Sequence, residues 1–406
     1  MIDDTVSRRR VLQGFAGGVA AAGLVGVASA NGNDRKIVGL TTDADFGVAT
    51  DRADSVHRRL DFGHVGKAVA GNFSDAALDQ LRKRADVRYV ETDGTMHAIG
   101  PGDEGPGNGP PGDGGGSTSE CLPWGVDRTD GDVAAANGDT GSGADVAIID
   151  TGIDDDHPDL QANVGAGKAF VDCRGSNCNY PWSDDDDHGT HCAGIADAVN
   201  DNGEGVQGVA TEATLHAVKV LDNSGSGSYS DVADGIRYVA DQGWDVGSMS
   251  LGGGKSQTVA DACEYAYDKG VLLVAAAGND GPCTDCVGYP AAEPEVIAVS
   301  STNKDDQLSD FSSTGPEVEL AAPGSNVYST VIGGYDTFSG TSMACPHVSG
   351  AGGILMAQGD SNTQARDTLG SSAEDIGLAD GEQGNGLLDA AAALGLDSSD
   401  DGTGNC

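Results

Sequence analysis

The sequence is poor in basic and in aromatic residues. Its 406 residues contain 22 Lys plus Arg against 64 Asp plus Glu, a formal charge of −42, and only 5% are aromatic. Because nucleic acids and anionic lipid surfaces are bound chiefly through Lys and Arg, we expect neither as a partner. The length allows two or three domains with a sizeable apolar core, which excludes a peptide-sized scaffold held only by disulfides.

The excess of acidic charge is confined to one part of the chain. Residues 1–120 carry 13 basic and 17 acidic side chains, whereas residues 121–406 carry 9 and 47. Acidic chains with few aromatic residues are often disordered. This one nevertheless contains continuous apolar runs such as Val146–Ile149 and Val271–Ala277. We therefore expect the acidic part to fold and to carry its carboxylates on the surface.

The first thirty residues have the pattern of an export signal. Three arginines, Arg8, Arg9 and Arg10, precede an uncharged Gly/Ala/Val stretch that ends at residues 28–30. This resembles a twin-arginine signal, because the stretch of about 17 mostly small side chains is short and weakly apolar for the alternative, a membrane anchor. No later segment is long and apolar enough to cross a bilayer. A secreted protein with no membrane partner is predicted.

The composition divides the remaining chain into three parts. Residues 35–98 predict a small α+β domain, with a strand at Ile37–Leu40 and an amphipathic helix around Asp75–Arg84. Residues 99–120 are rich in Gly, Pro, Asp and Glu and predict a flexible, cleavable linker. In residues 121–406, continuous apolar runs alternate with helical stretches, which favours a mostly parallel sheet with helices on both faces. The predicted fold class is therefore α/β, doubly wound.

Three segments of this last part carry chemically competent side chains. Asp150 directly follows an apolar strand, at the edge where α/β sheets build their sites. His188 lies at the start of a helix. Ser342 begins a long Gly/Ala-rich helix, where free N–H groups favour a developing anion. Taken singly, each also has a structural interpretation as a turn residue or a helix cap; together they supply an acid, a base and a nucleophile.

Residues 147–152, 188–194 and 340–347 resemble the Asp, His and Ser signatures of the subtilisin-like serine proteases, the subtilase family, in that family's order. The resemblance covers nearly all of residues 121–395. It implies a subtilisin-like endopeptidase of broad specificity that hydrolyses proteins and peptides through an acyl-enzyme. His188 would be the base, Ser342 the nucleophile, and Asp150 the group that orients the imidazole.

The same comparison extends beyond the three signatures. Residues 35–98 are similar to the propeptide that assists folding and inhibits its own enzyme in cis, and the acidic surface and export signal are similar to the halolysins of salt-loving archaea. Asn279 corresponds to the oxyanion-hole residue, whose loss costs about 3 kcal/mol of transition-state stabilisation. A monomer is expected. Substrate-binding positions are implied at Ser250, Leu251, Gly252, Gly253, Ala276 and Gly278.

Metal sites are predicted only in a structural role. His188 and His191 are spaced as zinc ligands, but no H-E-x-x-H pattern supports a catalytic metal. By resemblance, a calcium site is predicted from oxygen ligands that suit this hard cation. The run Asp184–Asp187 is either a further ion site or a solvated acidic surface. The predicted calcium ligands are Asp159, Val199, Asp201 and Glu204.

The nine cysteines are compatible with export. Cys173–Cys178 and Cys283–Cys286 are close pairs that could form disulfides, while Cys192 and Cys345 lie inside the His and Ser signatures and are expected to be free. Two rival hypotheses remain open. One is a calcium-binding surface protein on a protease-like scaffold, and the other is a thiol protease that uses Cys192 or Cys345. The joint presence of the Asp, His, Ser and Asn residues favours the serine endopeptidase.

Overall fold

The computed structural model describes residues 35–100, 120–397 and 402–406. The predicted export signal, and residues 101–119 of the predicted linker, lie outside the described residues. Two sheets that differ in strand pairing form the framework of the described residues. An antiparallel sheet lies in residues 35–100, called here the N-terminal region, and a parallel sheet lies in residues 120–406, the C-terminal region.

The N-terminal region has the α+β character that its sequence predicts. Its four strands pair antiparallel in the order β2-β3-β1-β4. Helix α2 starts after Ser74, whose side chain accepts a hydrogen bond from the Ala77 amide, and it ends before Arg84 because the last amides bond three residues back. The elements are β1 (Lys36–Leu40), α1 (Gly47–Thr50), β2 (Ala53–Asp61), β3 (Lys67–Phe73), α2 (Asp75–Leu81) and β4 (Val87–Thr92).

A seven-stranded sheet, parallel throughout, forms the centre of the C-terminal region and confirms the predicted α/β class. The strand order is β14-β13-β12-β10-β6-β8-β7. Both faces of the sheet are buried: Val146 and Ile148 join one apolar cluster, and Ala147 and Ile149 join another. This explains the continuous apolar runs. The strands are β6 (Asp145–Asp150), β7 (Lys168–Ala169), β8 (Thr214–Lys219), β10 (Val246–Met249), β12 (Leu272–Ala276), β13 (Val296–Thr302) and β14 (Val318–Pro323).

Helices cover the two faces of this sheet. Residues of α5 and α8 belong to the first apolar cluster, and residues of α6 and α7 belong to the second. No helix in the described ranges is long and apolar enough to cross a membrane. The helices are α3 (Trp124–Arg128), α4 (Gly131–Ala136), α5 (His188–Asp197), α6 (Tyr229–Gln242), α7 (Gln257–Asp268), α8 (Thr341–Ala357), α9 (Asn362–Ser372), α10 (Asp380–Gln383) and α11 (Ala390–Ala393).

A small antiparallel sheet joins the two regions. Strand β5 (Thr95–Ala98) of the N-terminal region lies antiparallel between β9 (Ser226–Ser228) and β11 (Leu251–Gly253) of the C-terminal region. The apolar run 246–251, which predicted one strand, therefore divides at residue 250 between two sheets. A hairpin of β15 (Val327–Val331) and β16 (Gly334–Phe338) completes the strands.

Three disulfides are formed, and all nine cysteines lie in described residues. The two close pairs, Cys173–Cys178 and Cys283–Cys286, are bonded as the sequence suggests. The third, Cys121–Cys406, joins residues 285 positions apart, a separation that gives no local signal. Three thiols are therefore free and buried: Cys192 and Cys345, as expected, and also Cys263.

Candidate active site

Asp150 and His188 meet at the carboxyl edge of the parallel sheet. Asp150 is the last residue of β6 and His188 is the first of α5. Asp150 Oδ1 lies 2.8 Å from His188 Nδ1 and accepts the Thr151 amide at 2.7 Å. Because an ionised carboxylate can only accept, Nδ1 carries the proton of the neutral imidazole. Nε2, which has no hydrogen-bond partner among the described residues, is then free to take up a proton.

The environment of His188 favours its charged form. Burial by itself would lower the pKa of this imidazole, but the charge and the hydrogen bond of Asp150 outweigh burial and the pKa is raised. The carboxylates of Asp186 and Asp184 act in the same direction. Burial also raises the pKa of Asp186 to about 6. The imidazole is thus set up to hold a proton taken from a neighbouring group.

Ser342 lies in the first turn of α8 and faces a backbone carbonyl. Its Oγ is 2.6 Å from the Ile99 carbonyl oxygen and 3.1 Å from that of Ser250. Within the described parts of the chain, no hydrogen bond joins Ser342 to His188. The predicted triad is therefore assembled between Asp150 and His188 only. Since a hydroxyl has one proton, the bond to the Ile99 carbonyl takes the place of the bond to the imidazole, and such bonds commonly tighten only during reaction.

Pro346 has no amide proton and therefore leaves the carbonyl of Ser342 without its helical donor. The structure supplies two replacements, because the Ser342 carbonyl accepts from Ser250 Oγ at 2.8 Å and from Cys192 Sγ at 3.5 Å. Burial raises the pKa of the thiols of Cys192 and Cys345, so both are held as neutral thiols. A neutral thiol is a poor nucleophile, which argues against the thiol-protease alternative.

Asn279 is oriented by the start of the serine helix. Its Oδ1 accepts the Thr341 amide at 3.0 Å and the Thr341 hydroxyl at 2.9 Å. The amide Nδ2 is thereby turned toward the N-terminal region, where it lies 2.8 Å from the Gly100 carbonyl oxygen and 3.4 Å from that of Ile99. The Ser342 amide, in the first turn of a helix, has no helical acceptor. One donor, Asn279 Nδ2, thus lies beside the Ile99 carbonyl, and the Ser342 amide is a candidate for a second.

Residues 95–100 pass through the cleft as an extended peptide. On one side, Leu251, Gly252 and Gly253 pair with residues 98, 97 and 96, and the Ile99 amide donates to the Ser250 carbonyl at 3.1 Å. A Cβ on Gly252 would lie 2.8 Å from Ile99 Cδ1, so a side chain there would displace the end of the Ile99 side chain. Four of the predicted substrate-binding residues therefore do contact a peptide, and they do so through the backbone.

Among the described residues, the other two predicted substrate-binding residues make no hydrogen bond with residues 95–100. Ala276 is buried in β12, and the Gly278 amide donates to Thr341 Oγ1 at 3.1 Å. Sequence reasoning also missed the second wall of the cleft, residues 225–228, which pair with residues 95–98. The alternation of Ser and Gly over residues 224–228 is the signal that could have identified a second peptide-pairing strand.

The two histidines beside the catalytic signatures are buried packing residues. His191 stacks on Phe338 and its Nε2 contacts the Asp336 carbonyl, and burial lowers its pKa to about 3. His347 Nδ1 donates to the Met343 carbonyl, and burial lowers its pKa to about 4. Both imidazoles therefore bond to backbone carbonyls.

The predicted calcium residues are only partly brought together. Buried Asp159 accepts from Asn202 Nδ2 at 2.6 Å and from the Val206 amide at 2.7 Å, and the Val199 amide donates to its carbonyl. In residues 35–100, 120–397 and 402–406, Asp159, Asp201 and Glu204 do not form a cluster with ligand atoms within 4.8 Å of one another. The atoms that could bind a cation here are all oxygens, the ligand type that calcium prefers. Glu120, which the sequence did not suggest, reaches the same loop through the Asp201 and Gly203 amides.

Comparison with known proteins matches these observations. Residues 141–386 match the family described as "Subtilase family". The chain is 39% identical to Subtilisin E of Bacillus subtilis (strain 168) over 332 residues, 80% of each protein. It is 38% identical to Halolysin of Haloferax mediterranei over 411 residues, 94% of this chain and 75% of that protein. It is also 38% identical to the halolysin-like extracellular serine protease Nep of Natrialba magadii over 422 residues, 97% of this chain and 74% of that protein.

Proposed function

Because the chain belongs to the subtilase family and is a serine endopeptidase, we propose that Asp150, His188 and Ser342 are its catalytic triad. His188 Nε2 takes the proton of Ser342 Oγ as that oxygen attacks the peptide carbonyl, and Asp150 stabilises the resulting imidazolium. The proton then passes to the leaving amine. Water releases the acyl group from Ser342 by the same steps in reverse order.

The oxyanion formed during attack needs donors that are already in place. Asn279 Nδ2 and the Ser342 amide supply them, and the two bonds from Thr341 keep the Asn279 side chain in position. The observation that carries the proposal is the approach of Ser342 Oγ to the Ile99 carbonyl oxygen, 2.6 Å, with the Asn279 amide beside it. A peptide carbonyl therefore lies where the nucleophile and the oxyanion donors converge.

Replacement of the nucleophile tests this assignment. Ser342→Ala should lower kcat by roughly a million-fold, because the triad acts as one unit, while the exposed-helix control Ser371→Ala should retain activity. A serine-directed sulfonyl fluoride should inactivate the parent enzyme and the control equally. Peptidase activity that survives both Ser342→Ala and the sulfonyl fluoride would contradict the proposal.

We also propose that the N-terminal region is the inhibitory propeptide of this enzyme. Its residues 95–100 pair with both walls of the cleft and present the Ile99–Gly100 bond to Ser342. Cleavage of that bond leaves residues 95–99 in the cleft as a bound product, which blocks the entry of other substrates. Protein and peptide substrates become accessible when the region leaves.

A structural calcium ion is proposed at the loop that follows α5. Asp159, the Val199 carbonyl, Asp201 and Glu204 would hold it, and Glu120 is a further carboxylate within reach of that loop. The ion would neutralise these carboxylates and fix the loop; it has no part in the proton transfers described above.

We further propose that the enzyme acts outside the cell as a monomer, after twin-arginine export, and that it is adapted to salt. A relative that covers 97% of this chain is named an extracellular protease. At molar salt the screening length falls to about 3 Å, so crowded carboxylates coexist on one surface. Dilution into salt-free, calcium-free buffer should inactivate the enzyme within the assay. Lasting full activity there would contradict the salt adaptation and leave the protease assignment intact.

A further inference from the structure

Among the described residues, the ion pairs that line the boundary between the two regions all have the same polarity. The N-terminal region supplies the basic partner and helices α6 and α7 supply the carboxylates. Arg88 binds Asp261 through two bonds of 2.6 and 2.9 Å. Arg58 contacts Asp231 at 2.7 Å and Asp234 at 3.3 Å. Two histidines add weaker contacts of the same polarity, His57 with Asp231 and His64 with Asp268.

The carboxylates on the helices are more deeply buried than their cationic partners. The side chain of Asp261 is 1% exposed while that of Arg88 is 29% exposed. The C-terminal region offers Asp261 one neutral donor, Gln257 Nε2 at 3.1 Å. Loss of the Arg88 charge while the N-terminal region stays bound would therefore leave a nearly buried carboxylate without a cation, and such a loss is costly.

The acidic residues of the N-terminal region bind at the starts of the same helices. Glu91 accepts the Gln257 and Thr258 amides at the start of α7, both at 3.0 Å. Asp93 accepts the Ser230 amide at the start of α6 at 2.9 Å. These contacts use the free N–H groups and the positive ends of the helices. Both signs of charge on the N-terminal region are thus matched by the surface of α6 and α7.

Net charge does not account for this docking. Residues 35–100 carry ten basic and ten acidic side chains, so their formal charge is zero opposite a strongly acidic partner. The attraction comes from the local pairs, together with an apolar contact in which Leu60 and Phe62 share a cluster with Ile236 and Val259. Salt weakens the ion pairs by screening and strengthens the apolar contact.

We propose that Arg58 and Arg88 form a salt-sensitive latch on α6 and α7, so that salt concentration sets how tightly the N-terminal region stays bound after cleavage. This inference rests on the proposed function of that region. In the latch, rising ionic strength weakens the ion pairs, because the side chains of Arg58 and Arg88 remain 21% and 29% exposed to solvent. Salt therefore promotes release of the inhibitor independently of the bond cleavage.

The test separates binding from the chain's own activity. A full chain carrying Ser342→Ala receives a recognition site for a specific endopeptidase within residues 101–119 and is cut there by that enzyme at 1 M NaCl. Co-elution of the two fragments on gel filtration then gives the dissociation constant from 0.5 to 4 M NaCl. Failure of Ser342 as the nucleophile does not affect this assay, because the cut is made by another enzyme.

The dissociation constant of the parent pair should rise about tenfold over this range. The double variant Arg88→Gln/Asp261→Asn should bind roughly tenfold more weakly at 0.5 M and show at most half of that salt dependence. Arg58→Gln, which removes the contacts with the other helix, α6, should have a similar but smaller effect. The control Arg84→Gln/Asp86→Asn removes an ion pair internal to the N-terminal region and should behave as the parent.

Apolar burial is common to all of these chains, so differences between their salt slopes report the ion pairs alone. Thermal unfolding of each cut complex identifies a variant that fails to fold. The latch is overturned if the parent binds equally or more tightly at 4 M than at 0.5 M NaCl, or if both Arg variants keep the parent's salt slope.

Discussion

The N-terminal and C-terminal regions differ most clearly in how they use charge. The first balances ten basic against ten acidic side chains, whereas residues 121–406 carry 9 basic and 47 acidic. The neutral region places Arg58 and Arg88 against α6 and α7, and its last strand lies in the cleft. The acidic region carries all of the side chains proposed for catalysis. The side chains proposed for catalysis and those proposed to hold the inhibitor are therefore different residues, which can be substituted one at a time.

Substitution of Asp150, the carboxylate proposed to orient His188, should separate the roles of the two regions most clearly. Asp150→Asn should lower kcat about 10⁴-fold, because the amide favours the wrong imidazole tautomer, while the N-terminal region stays docked. Asp145→Asn, at the opposite end of the same strand and bonded to His216, is the matched control and should lose little activity. A comparable loss in both variants would mean that the strand, rather than the triad, is being damaged.

Removal of the N-terminal region should harm folding more than chemistry. Expression of residues 121–406 alone leaves the starts of α6 and α7 without Asp93 and Glu91, and it exposes the apolar cluster that Phe62 fills. We expect the yield of active enzyme to fall by at least roughly tenfold, while kcat per active site, measured by titration with a sulfonyl fluoride, is unchanged. Normal yields would remove the folding role from the proposal.

Calcium should affect the C-terminal region only. Chelation should lower its Tm by about 5–10 °C. A loss of this size is expected for an ion whose dissociation constant lies well below its free concentration. Asp159→Asn should lower the Tm similarly and abolish the response to chelator, while the exposed-site control Asp305→Asn should not. An equal response to chelator in Asp159→Asn and the parent would place the ion elsewhere.

A smaller effect is expected from the acidic run before His188. His188, the proposed base, must be neutral to act. Because its pKa is raised above the usual histidine value near 6.5, activity should begin to fall at a pH above that value as the solution is acidified. Asp186→Asn removes a charge that raises this pKa and should move the acid limb to lower pH, with roughly a twofold gain in kcat/KM on that limb because salt screens the charge. A shift to higher pH would contradict this electrostatic assignment.

The sequence was most informative about strands that are buried along their whole length and about site residues that lie within short motifs. The run Val146–Ile149 predicted a parallel strand because both faces of that sheet are covered, and Asp150, His188 and Ser342 were selected by their signatures. Contacts made by the fold were not predictable in this way. The second wall at residues 225–228 lacks apolar periodicity, and Cys121 and Cys406 are too far apart in sequence. The side chain of Ser342 faces Ile99 rather than His188 because of a neighbour from the other region.

The cleavage site tests the central claim most directly, since that claim joins the two regions at one bond. Intact mass and N-terminal sequencing of the purified full chain should show a first cut between Ile99 and Gly100, and Ser342→Ala should remain uncut under the same conditions. A first cut elsewhere, or the same cut in Ser342→Ala purified free of other proteases, would contradict the account.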